Sequence, residues 1–255
     1  MSDLVIENLT LSFGGVKAIN DVSFGVGRGE IYAIIGPNGA GKSTIFNAIS
    51  RIYRPDSGAI RFRGEDLLAR PPHQVVDLGI ARTFQNIELF EKATVLDNLL
   101  VGRSAKVRTN PLQEWFFTRR VREEEYAHRR RIEEILDLLD MQQYRYERVA
   151  DLSYGARKNV ELARALCADP EILLLDEPAS GLNPEETTDI SFWLKDIQQE
   201  LGVTILMVEH DMNLVRRISD RCLAMANGEV LAVGSVAEVQ ANPDVQTAYL
   251  GGSVS

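Results

Sequence analysis

The 255-residue sequence predicts an α/β fold: a core with a mainly parallel sheet covered by helices, an N-terminal antiparallel β region and an inserted α-helical subdomain. Three observations predict it. Apolar runs of strand length alternate with runs of helix length, first over 30–52 and again over 172–218. A glycine-rich loop at 36–41 joins the first of those strands directly to a helix. Between the two stretches, residues 118–134 turn Arg/Glu-rich and lose the strand signal altogether.

The elements follow in order. Residues 4–13 and 18–26 read as an antiparallel β pair around Gly14-Gly15. Residues 30–35 form a short apolar strand, and 42–52 have helical character. Turn chemistry at 55–58 precedes strands at 59–63 and 80–84. In the charged stretch Arg119/Glu123, Arg120/Glu124, Glu125/Arg129 and Arg130/Glu134 stand at i,i+4, as on an exposed helix face. Ile132, Ile135, Leu136 and Leu139 supply the stripe by which that helix docks. The helical subdomain is placed at 86–167, leaving 1–85 and 168–255 as the core of a single domain. A helix at 156–167 closes the subdomain. The β/α alternation then resumes with a strand at 172–176, a helix at 184–200, a strand at 203–208 and a helix at 211–218. Residues 221–226 and 230–233 flank Asn227-Gly228 as a closing hairpin.

Composition narrows the function. The net charge of −9 gives no basic face on which to neutralise phosphates, which argues against nucleic acid as a partner. Cys167 and Cys222 have no CxxC partner and read as buried free thiols of a reducing compartment. No secretory n-region and h-region opens the chain, and the apolar runs fall far short of the roughly 20 residues that cross a bilayer. A cytoplasmic protein is expected. Trp115-Phe116-Phe117 beside Arg119-Arg120 reads as subdomain core or as a partner-facing patch.

The chemistry sits at the loops. Gly36-Pro37-Asn38-Gly39-Ala40-Gly41-Lys42-Ser43 satisfies G-x-x-x-x-G-K-[ST] between a strand and a helix, the pattern of a P-loop nucleotide hydrolase. Its glycines let successive N–H groups turn inward around phosphates. The helix start adds its positive end. Lys42 would reach the β- and γ-phosphates of ATP, and Ser43 would ligate Mg²⁺. Residues 172–175 lead into Asp176 and Glu177, which read as an acidic helix start or, alongside the P-loop, as the magnesium-holding Asp and a Glu facing the attacking water. Ser153, before the run 156–167, is a helix N-cap or an anion site. Gln85 and His210 each stand just beyond a strand end, where ligands of such sheets gather.

Taken together, these residues resemble the ATP-binding subunits of ABC transporters over nearly the whole chain. GPNGAGKS is similar to that family's Walker A loop, Gln85 in RTFQN to its Q-loop, LSYG at 152–155 to its signature, ILLLDEP at 172–178 to its Walker B and His210 in VEHD to its switch histidine. The resemblance adds Thr44 to the phosphate loop and puts Phe13 where an aromatic stacks on adenine. FGGVKAINDVSF at 13–24, ARTFQN at 81–86, the run ending in TVLDNLLVGR at Arg103, ASGLNPEET at 179–187, VEHDMNLV at 208–215 and NPDVQTAYLG at 242–251 most resemble the branched-chain amino acid importers. Importers of urea, amides and other small carboxylates, and a lipopolysaccharide exporter, share much of this. Ala156 departs from the family's Gln and Asn183 from its Asp, so neither position's family role is carried over.

What the resemblance implies is a motor at the cytoplasmic face of the inner membrane. It would act with transmembrane permease subunits, with a second ATP-binding subunit that is either identical or a paralogue, and indirectly with a periplasmic binding protein. Each ATP would lie between the Walker A loop of one subunit and Ser153 and Gly155 of the other. Glu177 would be the general base, His210 would contact the γ-phosphate, and Gln85 would join the metal site to the helical subdomain. A soluble ABC-type ATPase working on DNA or ribosomes is the rival class. The single P-loop and acidic balance disfavour it, and a GTPase is disfavoured because no N-K-x-D guanine-reading motif is present.

Overall fold

The computed structural model describes residues 2–83, 87–106 and 119–251. The chain separates into two compact units, Met1–Gln85 with Glu171–Ser255, and Asn86–Pro170.

In the first unit, strands β1 (Ser2–Phe13) and β2 (Val16–Gly27) pair antiparallel across Gly14-Gly15, both with positive φ. Strand β3 (Ile31–Ile35) has every residue buried, as an apolar run without alternation requires. Helix α1 (Lys42–Ile49) follows the glycine loop. It stops three residues short of the sequence boundary because Arg51 turns left-handed (φ 60°) and the Asn47 carbonyl takes the N–H of both Ile52 and Tyr53. Strands β4 (Ser57–Phe62) and β5 (Glu65–Asp66) then extend the antiparallel pair to a four-stranded sheet, order β2-β1-β4-β5. The strand expected at 59–63 thus has a place that sequence pattern alone did not assign.

Strand β6 (Ile80–Arg82) returns the chain to the second sheet before the helical unit begins. In that unit α2 (Val95–Gly102) starts with a reciprocal capping box between Thr94 and Asp97. Asn98, fully buried, satisfies itself on the backbone of Phe90 and Thr94. Helix α3 (Arg119–Leu138) carries the expected ion pairs Arg119–Glu123 and Arg129–Glu125 on its outer face. Ile132, Ile135, Leu136 and Leu139 are buried. Helix α4 (Tyr154–Leu166) passes so close to α2 that a Cβ on Gly102 would overlap the Arg164 carbonyl. Beyond α4, Asp169 receives the guanidinium groups of Arg103 and Arg131, which ties residues 168–170 to this unit. The Trp115 cluster lies outside the described residues.

The last third completes the second sheet. Strand β7 (Ile172–Asp176), helix α5 (Pro184–Leu201), strand β8 (Thr204–Val208) and helix α6 (Met212–Ile218) follow one another. Asn183 caps α5 in a second capping box, with Glu186. Strands β9 (Arg221–Ala226) and β10 (Glu229–Gly234) form the hairpin, with Asn227 and Gly228 both left-handed as a tight two-residue turn demands. Helices α7 (Val236–Ala241) and α8 (Pro243–Gly251) end the described chain. The six-stranded order is β10-β9-β3-β8-β7-β6, and every neighbouring pair from β9 to β6 is parallel. The fold is therefore α/β, with the carboxyl ends of β3, β7 and β8 on one edge. Among the described residues no helix is long and apolar enough to cross a membrane.

One glycine of the loop after β3 has no substitute. Gly41 sits at φ 97°, and a Cβ there would overlap the Ala18 carbonyl of β2. Gly41→Ala is expected to cost about 2–3 kcal/mol from overpacking and backbone strain. That corresponds to a melting temperature lower by about 5–10 °C in a chain of this size. Thermal unfolding followed by circular dichroism checks it, and an unchanged midpoint would refute the close approach.

Candidate functional site at the carboxyl edge of the parallel sheet

Three loops meet at this edge because their strands are adjacent and parallel. Residues 36–41 leave β3, Glu177 leaves β7, and Glu209 and His210 leave β8. Ligands of open α/β sheets bind in this position.

The first loop is shaped by Gly36, Gly39 and Gly41 at φ 151°, 80° and 97°. A Cβ on Gly36 would overlap the Met225 carbonyl, so the loop lies directly on β9. Pro37 accepts the N–H of Ala40 across the turn (3.2 Å). Gly41 is the N-cap of α1 with no side chain in the way, so the helix presents its N–H groups and positive end to the loop. Lys42 is buried at the start of that helix. Its Nζ donates to the carbonyls of Gly36 (2.8 Å) and Pro37 (3.0 Å), which folds the ammonium along the loop it belongs to. Burial draws the Lys42 ammonium down from its ordinary value, while the negative charges of Glu177 and Asp176 work against that. A cation is thus held among backbone carbonyls with two carboxylates close by. Ser43 and Thr44 follow on the first turn, Ser43 exposed and Thr44 half-buried.

Asp176 ends β7, buried. Burial raises its carboxyl above the ordinary range, and the guanidinium of Arg82, 3.0 Å from Oδ2, opposes the rise. Arg82 also donates to Asn47 Oδ1 (2.7 Å) and lies over the Phe46 ring, so it links β6, α1 and β7 beneath the loop. Sequence reading did not single out Arg82. Its only signal was a cation at the end of a short apolar strand. Asp176 Oδ1, by contrast, is buried without a hydrogen-bond partner among the described residues. One free carboxylate oxygen beside a phosphate loop that opens its helix with a hydroxyl suits Mg²⁺, which takes one or two protein oxygens and leaves the rest to water and phosphates. The residues present fit the ion.

Glu177 follows with its backbone left-handed at φ 51°, its N–H bonded to the Val208 carbonyl (2.9 Å) and its carbonyl to the Ser180 N–H (3.1 Å). His210 Nδ1 stands 4.0 Å from Glu177 Oε2, with the imidazole 58% exposed. A proton acceptor and an imidazole thus face each other at the rim of the phosphate loop. Phe13, 47% exposed, ends β1 and meets the Tyr53 ring edge-on at 5.0 Å. Tyr53 was also absent from the sequence reading. Its position just after α1 gave no pattern to read.

In the helical unit Ser153 is the N-cap of α4, its Oγ accepting the Ala156 N–H (3.2 Å), with Gly155 buried in the first turn. Both readings of Ser153 use that same helix start. Gln85 lies outside the described residues. A cleft of about 650 Å³ between α5 and α6, lined by Pro184, Thr188, Asp211 and Arg217 among others, shares no residue with the phosphate loop.

The model of the family described as ABC transporter matches residues 19–180, and that of the branched-chain amino acid ATP-binding cassette transporters matches residues 229–255. The chain is 39% identical over 248 residues to the high-affinity branched-chain amino acid transport ATP-binding protein BraF of Pseudomonas aeruginosa, covering 97% of each chain. Among solved structures it is similar to the ADP conformation of an ATP-binding cassette of an ABC transporter, with a TM-score of 0.86 and 33% identity over 98% of this chain and 99% of that one. It is also similar to a dimeric ATP-binding cassette in a post-hydrolysis state bound to ADP and Pi. There the TM-score is 0.76 and the identity 26%, over 91% of this chain and 98% of the other.

Proposed function

Because the chain belongs to the ABC transporter family as an ATP-hydrolysing, ATP-binding subunit, we propose that it energises uptake of branched-chain amino acids through separate permeases at the cytoplasmic face of the membrane. The observation that carries the motor reading is the convergence of the phosphate loop, Asp176-Glu177 and His210 at one sheet edge. The cargo reading is supported by BraF along 97% of both chains and by the match at 229–255.

In this reading the residues 36–44 wrap the phosphates, and Lys42 swings from the Gly36 and Pro37 carbonyls to the β- and γ-phosphates. Mg²⁺, held by Ser43, Asp176 and Gln85, would neutralise phosphate charge. Glu177 accepts the proton of the attacking water, and His210 donates to the γ-phosphate. Phe13 stacks on adenine. Ser153 and Gly155, at the start of α4, bind the γ-phosphate of ATP held by a second such subunit, identical or a paralogue. The dimeric cassette supports that arrangement. The γ-phosphate is then shared by two chains, and its loss on hydrolysis releases them. The core at 1–85 and 171–255 would hydrolyse the ATP. The helical part at 86–170 would press on the permease.

The test is transport. In proteoliposomes holding this subunit with its permeases and their binding protein, labelled leucine, isoleucine or valine is expected to accumulate only with ATP inside. Uptake of urea or short amides in its place would move the chain to a related importer. Outward movement of lipopolysaccharide would reverse the direction.

A further inference from the structure

Glu209 is a carboxylate with no exposed surface, set directly after the all-buried strand β8. Both of its oxygens are occupied, and by different loops. Oε1 accepts the N–H of Ala179 (2.9 Å), in the loop that carries Glu177. Oε2 accepts the N–H of His210 (2.9 Å) and of Asp211 (3.1 Å). The Glu209 N–H is itself anchored on the Ile34 carbonyl of β3 (3.2 Å).

We propose that Glu209 is a positioning residue for hydrolysis: a single buried carboxylate that clamps the loop of Glu177 to the loop of His210 and fixes the distance between them. The inference rests on the roles given above to Glu177 and His210. Burying a carboxylate is costly unless it is hydrogen-bonded, and here three N–H donors converge on it. The bond to Ala179 also helps to hold what is otherwise unfavourable. Glu177 keeps a left-handed backbone, a conformation that persists only where its surroundings over-determine it. The Val208 carbonyl holds the Glu177 N–H, and two residues on Glu209 holds Ala179, so the strained residue is pinned on both sides. On the other side, fixing the N–H groups of His210 and Asp211 fixes the backbone from which the imidazole projects, with Nδ1 4.0 Å from Oε2 of both Glu177 and Glu209.

Glutamine separates charge and acceptor count from size. It offers one acceptor oxygen, and its amide NH₂ would face an N–H donor on one of the two loops, so one side of the clamp opens. Misplacing a catalytic group by about 1 Å can cost about 10²-fold in rate. In the 255-residue chain, Glu209→Gln is therefore expected to lower kcat by about 10- to 100-fold while KM and the ATP dissociation constant stay within about threefold. A merely structural carboxylate would instead lower the melting temperature and leave kcat per folded molecule unchanged. Combined with His210→Ala, the losses should be strongly less than multiplicative, because one acts through the other.

Wild-type kcat in folded Glu209→Gln, or a fully multiplicative double variant, overturns the proposal. Should the glutamine variant fail to fold, Glu209→Asp decides, since it keeps the charge but is one methylene too short to span both loops. A loss of about tenfold at unchanged KM supports the clamp, and wild-type turnover in the folded aspartate variant overturns it. Glu177→Gln in the same assay keeps the two readings apart. If it is inactive while Glu209→Gln is normal, only the clamp fails. If Glu177→Gln itself turns over normally, the underlying site assignment fails.

Discussion

The Lys42→Ala chain is expected to lose ATP hydrolysis, with phosphate release falling by about 10³-fold or more, and to bind ATP about 10- to 100-fold more weakly. Among the described residues the ammonium is the only side-chain cation bonded within the loop, and it is already held beside the backbone that surrounds the phosphates, on the carbonyls of Gly36 and Pro37. A charge-assisted bond to phosphate is worth about 1.5–3 kcal/mol, which sets the binding loss. The larger kinetic loss reflects charge that develops on the transferring phosphoryl and finds no counter-charge. Phosphate release under saturating ATP and calorimetric titration with a non-hydrolysable analogue measure the two effects separately. Normal turnover in this variant would remove residues 36–44 from the reaction.

Glu177→Gln should leave binding intact and still slow the reaction strongly. Hydrolysis is expected to slow by about 10²-fold or more, the scale of losing a positioned general base, while ATP affinity is kept. Glutamine has the size of glutamate, and at φ 51° both pay a similar backbone penalty, so the substitution leaves the loop geometry in place. Only the capacity to take a proton disappears. With ATP no longer consumed, the shared γ-phosphate should hold two chains together, and sedimentation in saturating ATP should show twice the monomer mass where ADP gives monomers. A variant that hydrolyses at the wild-type rate would strip Glu177 of its role and leave the acidic part of the reading resting on Asp176 alone.

What could be read from sequence divides along a physical line. The phosphate loop was legible because its constraints are local: glycines where φ is positive, a lysine and a hydroxyl at the helix start, a strand before and a helix after. The parallel core was legible for a similar reason, since β3, β7 and β8 are buried on both faces and read as unbroken apolar runs. Arg82 and Glu209 were not, although both are central to how the site is held. Each works through partners far away in the chain, Arg82 on Asp176 and Glu209 on Ala179, and no spacing rule reaches across such separations. Nor did its place after five buried strand residues betray it, since Glu177 follows five such residues in the same way and stays partly exposed. Pairing of β4 with β1 was hidden likewise, because register between distant strands is set by the sheet and not by either strand alone.

The order of the second sheet has a consequence for how the molecule is made. Strand β3 is complete by Ile35, yet its two neighbours are β8 and β9, which begin at Thr204 and Arg221. On a ribosome adding about 5–20 residues per second, the strand that carries the phosphate loop waits on the order of ten seconds before anything exists for it to pair with. During that interval five consecutive hydrophobic residues whose backbone groups have no strand partner are exposed on the nascent chain, an invitation to chaperones and to neighbouring nascent chains alike. The nucleotide pocket is consequently among the last features of the protein to form, and ATP cannot act as a template for the early part of its folding.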